Sequence, residues 1–214
     1  MASPNTTELV VVRHGQTAWN RIGKQQGWLD SPLTGLGTTQ AQAIADALVG
    51  ERFDACYSSD LGRALQTAQI IAPRIGLEVI PEPGFRERNQ GILQGMTMAE
   101  FEREHPAEYA HLRGADPDWA IPGGESTRQL YDRHISAAES LANRHSGARL
   151  LIVAHGGVLN SFFRRATGQG IASPRRFSLY NASINAFSIT AERWTLLLWG
   201  DTHHLRHLAT EDDW

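Results

Sequence analysis

Apolar positions along the chain fall into two kinds of run. Leu9 to Val12 (LVVV) and Leu150 to Ala154 (LLIVA) are short, unbroken and largely β-branched, the pattern of strands covered on both faces. Elsewhere apolar residues recur at helical spacing. Ala41, Ile44, Ala45 and Leu48 do so behind Thr34 or Thr38 as N-cap, and Leu61, Leu65, Ala68 and Ala72 behind Asp60, with a stop near Pro73 and Gly76. Ser126 and Gln129 form a capping-box signature ahead of Leu130, Tyr131, Ile135, Ala138, Leu141 and Ala142. Shorter strands are predicted over Asp54–Tyr57 and Leu77–Ile80, and helices over Met98–His105 and from about Gly157 to Ala166. A closing hairpin pairs Asn185–Ile189 with Trp194–Trp199.

Strands alternating with helices predict an α/β fold, a three-layer α/β/α sandwich around a mostly parallel central sheet. No repeat, low-complexity tract or composition break marks a linker. Residues 1–214 are therefore read as one domain, with the less regular residues 86–125 as an inserted cap segment.

Composition narrows the function classes. The 214 residues carry a net charge of −3, with 41% hydrophobic and 20% charged residues, and lack the basic excess of a nucleic-acid or acidic-membrane binder. A local basic pocket stays compatible with that balance. The single cysteine, Cys56, provides no internal disulfide, fits a reducing compartment and reads as a small buried hydrophobe. No apolar run reaches membrane-spanning length and MASPNTTELV lacks signal-peptide regions, so the expected location is cytoplasmic.

Both of the most apolar strands end in histidine followed by glycine, VVVRHG at His14 and LIVAHGG at His155. Binding sites of open α/β sheets lie beyond the carboxyl ends of the strands, and glycine there leaves room for a ligand near the backbone. Arg13 abuts a buried strand and so needs an anionic partner, and Arg63 opens the helix after YSSD. Taken singly, a strand-end histidine is structural and a helix-start arginine is solvated. Two histidines with two arginines instead make a pocket suited to a phosphoryl group.

The chain resembles the histidine phosphatase superfamily, also called phosphoglycerate mutase-like, in its RHG-motif branch. The matching pieces are RHGQTAWN (Arg13–Asn20), QGWLDSPLTGLG (Gln26–Gly37), SSDLGRALQTA (Ser58–Ala68), FRERNQGILQG (Phe85–Gly95), PGGES (Pro122–Ser126) and AHGGVL (Ala154–Leu159), in the family's order. The resemblance implies that His14 is the nucleophile of a phosphohistidine mechanism, with its other ring nitrogen held by a backbone carbonyl. It implies that Arg13, Arg63 and a protonated His155 hold the phosphoryl oxygens, and that Glu87 is the general acid and base. Asn20, Thr17, Gln26, Gly27 and Gly156 follow as substrate-binding positions. The mechanism calls for no metal and no cofactor. The implied partner is a small phosphorylated metabolite, neither nucleic acid nor membrane, and a homodimer is the candidate assembly.

Within the family the expected activity is phosphomonoester hydrolysis, with a cofactor-dependent phosphoglycerate mutase as the alternative. GWLD at Gly27–Asp30 is similar to the mutases. The short span from Glu87 to Gly123, the HGG after the second strand, and YNASIN at Tyr180–Asn185 are similar to the smaller phosphatases. A non-catalytic phospho-ligand module would not require Glu87. HHLRH at His203–His207 has the spacing of two metal ligands but no evident third, and reads as a solvated tail from which His204 could approach the pocket. Trp19, Trp28, Trp119, Trp194, Trp199 and Trp214 read as core and rim residues, with Trp28 in a substrate-facing loop.

Overall fold

A computed structural model of the protein describes residues 6–208. Those residues form a six-stranded sheet in the order β3-β2-β4-β1-β5-β6. Its strands are β1 (Thr7–Arg13), β2 (Ala55–Ser58), β3 (Val79–Pro81), β4 (Arg149–Ala154), β5 (Ile184–Ile189) and β6 (Trp194–Asp201). The first four run parallel, while β5 and β6 close the sheet as an antiparallel hairpin beside β1.

The β1 and β4 runs are apolar throughout because both faces are covered. Leu9, Val11, Leu150 and Ile152 pack into one core with Leu141 of α6 (Thr127–Arg144) and Val158 and Phe162 of α7 (Gly156–Thr167). The alternate residues Val10, Val12, Leu151 and Val153 pack into a second core, with Ile44 of α2 (Gly35–Ala47) and Ala64, Ala68 and Ile71 of α3 (Gly62–Ile71). Strand side chains alternate faces, so this division of neighbours is what makes three layers. Cys56 is fully buried in the second core, and burial pushes its thiol up to about 12.

Of the two expected caps for α2, Thr34 is the one used. Several other element ends differ from expectation. Asp60 does not cap α3; Leu61 occupies that position with no side-chain cap, and Asp60 instead pairs with Arg86. The expected strands at Asp54 and Leu77 begin one and two residues later, at Ala55 and Val79. Two helices were not expected: α1 (Ala18–Arg21), a single turn capped by Thr17, and α5 (Pro106–Arg113). Pro106, read as a stop for α4 (Met98–Glu104), is also the first residue of α5, where its missing N–H costs nothing. Within residues 86–125, Leu93, Phe101 and Ile121 make a small apolar cluster of their own. Trp194 is buried and Trp19, Trp119 and Trp199 half-buried, whereas Trp214 lies outside the described residues. His204 sits in a 3-10 turn with Nε2 bonded to the Ala182 carbonyl, away from the main cavity.

Sequence patterning also missed His134, fully buried on the inner face of α6. Its Nε2–H donates to the Arg86 carbonyl at 2.8 Å, and Nδ1 lies 3.0 Å from the Ser161 hydroxyl. Burial, with the Arg133 charge second, lowers it to about 3 from the ordinary 6.5. Below 6.5 the unfolded chain therefore binds a proton that the folded one refuses. This contribution to stability is complete above that pH and is lost as pH falls toward about 3. Urea titrations from pH 7.5 to 5 should show unfolding free energy falling below pH 6.5. Each such histidine contributes up to about 1.4 kcal/mol per pH unit. His134→Gln keeps an N–H for Arg86 and cannot titrate, so its slope should be shallower; an unchanged slope would refute the assignment.

Candidate active site

Strand register brings the two histidines together. Arg13 and Ala154 are partners in the parallel β1–β4 ladder, so His14 and His155 leave adjacent strands at the same level. Their rings meet edge to face with centroids 5.2 Å apart. On the other side of β4, Ser58 is level with Val153, which sets Ser59 beside His155.

Both histidines are buried, and each has one ring nitrogen occupied. His14 Nδ1–H donates to the Gly15 carbonyl at 2.8 Å, which leaves the lone pair on Nε2. Burial, then the charges of Arg63 and Arg13, hold His14 well below its ordinary pKa, so the ring is neutral. His155 Nε2 lies 2.8 Å from Ser59 Oγ, which itself accepts from the Leu61 N–H. His155 Nε2 is thus engaged by Ser59, and Nδ1 is buried without a protein partner. His155 is likewise held well below its ordinary pKa, by burial first and then by Arg63. The ring is therefore neutral as the site stands, whereas the sequence reading expected it protonated.

Arg63, only 2% exposed, is held from three sides. Nη1 donates to Asp30 Oδ1 at 2.8 Å and to the Leu29 carbonyl at 3.1 Å, and Nη2 to the Gly27 carbonyl at 2.9 Å. Nε is buried without a partner. Asp30 also accepts from the backbone N–H of Gly62 and Arg63, so this distant carboxylate caps α3 in place of Asp60. Gly27 has φ +56°, and a Cβ there would lie 2.3 Å from Gln94 Oε1. On the opposite wall, Arg13 Nη1 donates to the Leu179 carbonyl.

Glu87 lies at the N-terminus of α7. Its Oε2 accepts from Gly157 N–H at 3.0 Å and its Oε1 from Arg88 N–H at 2.8 Å. A Cβ on Gly157 would sit 2.0 Å from Glu87 Oε1, so the second glycine of HGG admits the carboxylate. The glycine after His14 has another neighbour: a Cβ on Gly15 would lie 2.3 Å from the Gly37 carbonyl of α2. The space it leaves is filled by protein backbone rather than by ligand.

Two consecutive α6 residues that sequence reasoning passed over hold Glu87 in place. Arg133 donates to the carbonyls of Gly84, Arg86 and Glu87 and pairs with Glu125, while His134 takes the Arg86 carbonyl as well. Trp28 Nε1–H donates to the Glu87 carbonyl at 2.8 Å, and the Arg86 guanidinium stacks 4.9 Å from the Trp28 ring. None of these carried a recognisable spacing, because they act through backbone carbonyls.

Arg13, His14, Arg63 and Glu87 line one cavity of about 950 Å³. Asn20, Gln26, Gly27 and Gly156 line it too. Asn20 Oδ1 accepts from Thr17, so its amide N–H₂ is the end available to a ligand. Thr17 itself is fully buried, caps α1 and does not line the cavity, which corrects its expected binding role. The cavity thus gathers a neutral imidazole with a free Nε2, cationic and N–H donors around it, and a carboxylate at a helix start. That set suits nucleophilic phosphoryl transfer.

Comparison with known proteins agrees with this geometry. Residues 9–202 match the model of the histidine phosphatase superfamily, branch 1. The chain is 42% identical over 203 residues to phosphoglycerate mutase-like protein 4 of Arabidopsis thaliana, covering 92% of this chain and 86% of the relative. It is 42% identical over 202 residues to the metal-independent phosphoserine phosphatase of the same plant, covering 93% and 83%. Among solved structures, mycobacterial glucosyl-3-phosphoglycerate phosphatase is 33% identical with a TM-score of 0.80, covering 92% of this chain and 100% of that one. The chain belongs to the histidine phosphatase superfamily.

Proposed function

We propose that the protein hydrolyses a small phosphorylated metabolite through a phosphohistidine on His14. The observation that carries this reading is the His14 Nδ1–H bond to the Gly15 carbonyl, which leaves a neutral Nε2 aimed by a buried ring. In the first step Nε2 attacks phosphorus in line and the bond to the leaving oxygen breaks, with Glu87 donating its proton to that oxygen. In the second, Glu87 as carboxylate takes a proton from water, the water attacks phosphorus, and the P–N bond breaks to return His14. Arg13, Arg63 Nε and His155 Nδ1 face the charge that spreads over the non-bridging oxygens, and Asn20 adds an amide donor. Gln26, Gly27 and Gly156 shape the entrance for the leaving group. The single cysteine, Cys56, fits a reducing compartment, and on that ground we propose the cytoplasm as the location.

Every group in these steps is a side chain of the protein, in keeping with a relative named as a metal-independent phosphatase. The purified protein should therefore hydrolyse p-nitrophenyl phosphate in EDTA. His14→Ala should lose turnover and phosphoenzyme labelling together; labelling that persists would move the nucleophile elsewhere. Proton donation matters most for poor leaving groups. Glu87→Gln, and Gly157→Ala with its Cβ driven against Oε1, should slow alkyl phosphates by about 10²–10⁴-fold. They should slow p-nitrophenyl phosphate far less, and equal losses on both substrates would remove Glu87 from the acid role. With 3-phosphoglycerate, phosphate release should outpace conversion to the 2-isomer; the reverse order would make the protein a mutase.

A further inference from the structure

The cavity wall carries more positive charge than one phosphoryl group requires. Besides Arg13 and Arg63 it presents Lys24, Arg88, Arg164 and Arg175, while Glu87 is the acidic residue on the same described lining. Three of these six cations lie in the field of a carboxylate of the protein. Arg63 is paired with Asp30, Arg88 lies near Glu87 and Glu125, and Lys24 near Glu100.

Arg164 and Arg175 differ. Arg164 is 4% exposed, and its bonds go to neutral acceptors: Nε to Asn160 Oδ1 at 3.1 Å, Nη2 to the Ser173 carbonyl at 2.7 Å, and Nη1 to the Gly170 carbonyl. That leaves one N–H on each Nη. After burial, the influence that most disfavours its charge is a second cation, Arg175. Among the described residues neither guanidinium forms an ion pair with a carboxylate. Two like charges on one wall, one of them buried, are unfavourable until an anion joins them.

Their place in the fold relates them to the chemistry. Gly157, Asn160 and Arg164 line the cavity from one face of α7, the helix whose N-terminus holds Glu87. Seven residues of helix separate Gly157 from Arg164, about 10 Å along the axis, and helical side chains lean back toward the N-terminus. Arg164 also ties down residues 170–173, and Arg13 and Asn181 fasten the far end of the same segment, at Leu179 and at the His14 carbonyl. Arg175 is thus carried on a wall anchored at both ends.

We propose that Arg164 and Arg175 form a second anion subsite, which selects phosphomonoesters whose leaving group carries a carboxylate or a second phosphoryl group a few atoms from the ester oxygen. Planar guanidinium donors match either group. The subsite rests on the phosphatase reading above and adds the substrate class to it.

Two substrate pairs separate the sources of the anion. Glycerol 3-phosphate lacks the carboxylate of 3-phosphoglycerate, and fructose 6-phosphate lacks the second phosphoryl group of fructose 1,6-bisphosphate. Wild-type protein should favour the more anionic member of at least one pair by about tenfold or more in kcat/KM, and the pair that responds identifies the group. Arg164→Gln removes loop bonds together with the charge, so the exposed Arg175→Gln carries the test. It should shrink that preference to within about threefold, chiefly through a raised KM for the anionic member. A wild-type protein that hydrolyses p-nitrophenyl phosphate with no preference in either pair overturns the subsite and leaves the phosphatase standing. So does a preference that Arg175→Gln leaves intact. A protein that hydrolyses none of these esters overturns the phosphatase reading and the subsite with it.

Discussion

Arg63 is a full positive charge with almost no contact with water, and the site is built around keeping it there. A guanidinium stripped of solvent costs on the order of several kcal/mol unless fixed acceptors replace the water. Asp30 and the carbonyls of Gly27 and Leu29 supply them, all from one loop. Because Asp30 also caps α3, the loop and the helix cannot move independently. The same loop carries Trp28, which holds the Glu87 carbonyl, so the clamp on Arg63 extends to the backbone that carries Glu87. The guanidinium ends with Nε as its uncommitted donor, buried and facing no protein acceptor.

Glu87 is fixed by a different economy of contacts. Its carboxylate takes the Gly157 N–H at the start of α7 and the Arg88 N–H beside it, and Gly157 is small enough to let it in. Behind it, Arg133 and His134 occupy the carbonyls of residues 84–87, so the loop lies against α6. Glu87 is thus placed by two helices as well as by the adjacent Arg88 N–H. Arg86 turns to Asp60, and Arg88 donates Nε–H to the Glu125 carbonyl.

What could be read from the sequence follows from how each feature is encoded. The β1 and β4 strands, α6 with its Ser126–Gln129 box, and the closing hairpin announce themselves through local periodicity and caps, and the structure has them. The pairing of His14 with His155 was legible because both follow apolar strands, and a parallel ladder turns equal strand ends into spatial neighbours. Features that act over long separations in sequence were not legible. Asp60 satisfied the local rule for a cap, yet Asp30, more than thirty residues from Arg63, took the role. His134 reads as a polar residue in an amphipathic helix, and only the buried Arg86 carbonyl explains it. Thr17 and Asn20 fall inside a motif and were read as ligand contacts, whereas their spacing of three is that of a capping box, which consumes Thr17 and turns the Asn20 amide outward.

The neutral state of both histidines ties binding to chemistry. The arginine charges that attract a phosphate dianion are the same charges that, with burial, keep protons off His14 and His155. A protonated His14 would have no lone pair on Nε2, so the cationic pocket that suits an anion also keeps that lone pair free. An entering dianion offsets that field and raises the proton affinity of both rings. At His14 the Gly15 carbonyl already fixes the proton on Nδ1, so Nε2 is the nitrogen whose proton affinity rises. At His155 the Ser59 hydroxyl occupies Nε2, so Nδ1, which has no protein partner, is the nitrogen left for a ligand. One electrostatic arrangement therefore makes the pocket attractive to an anion and keeps both of its imidazoles neutral.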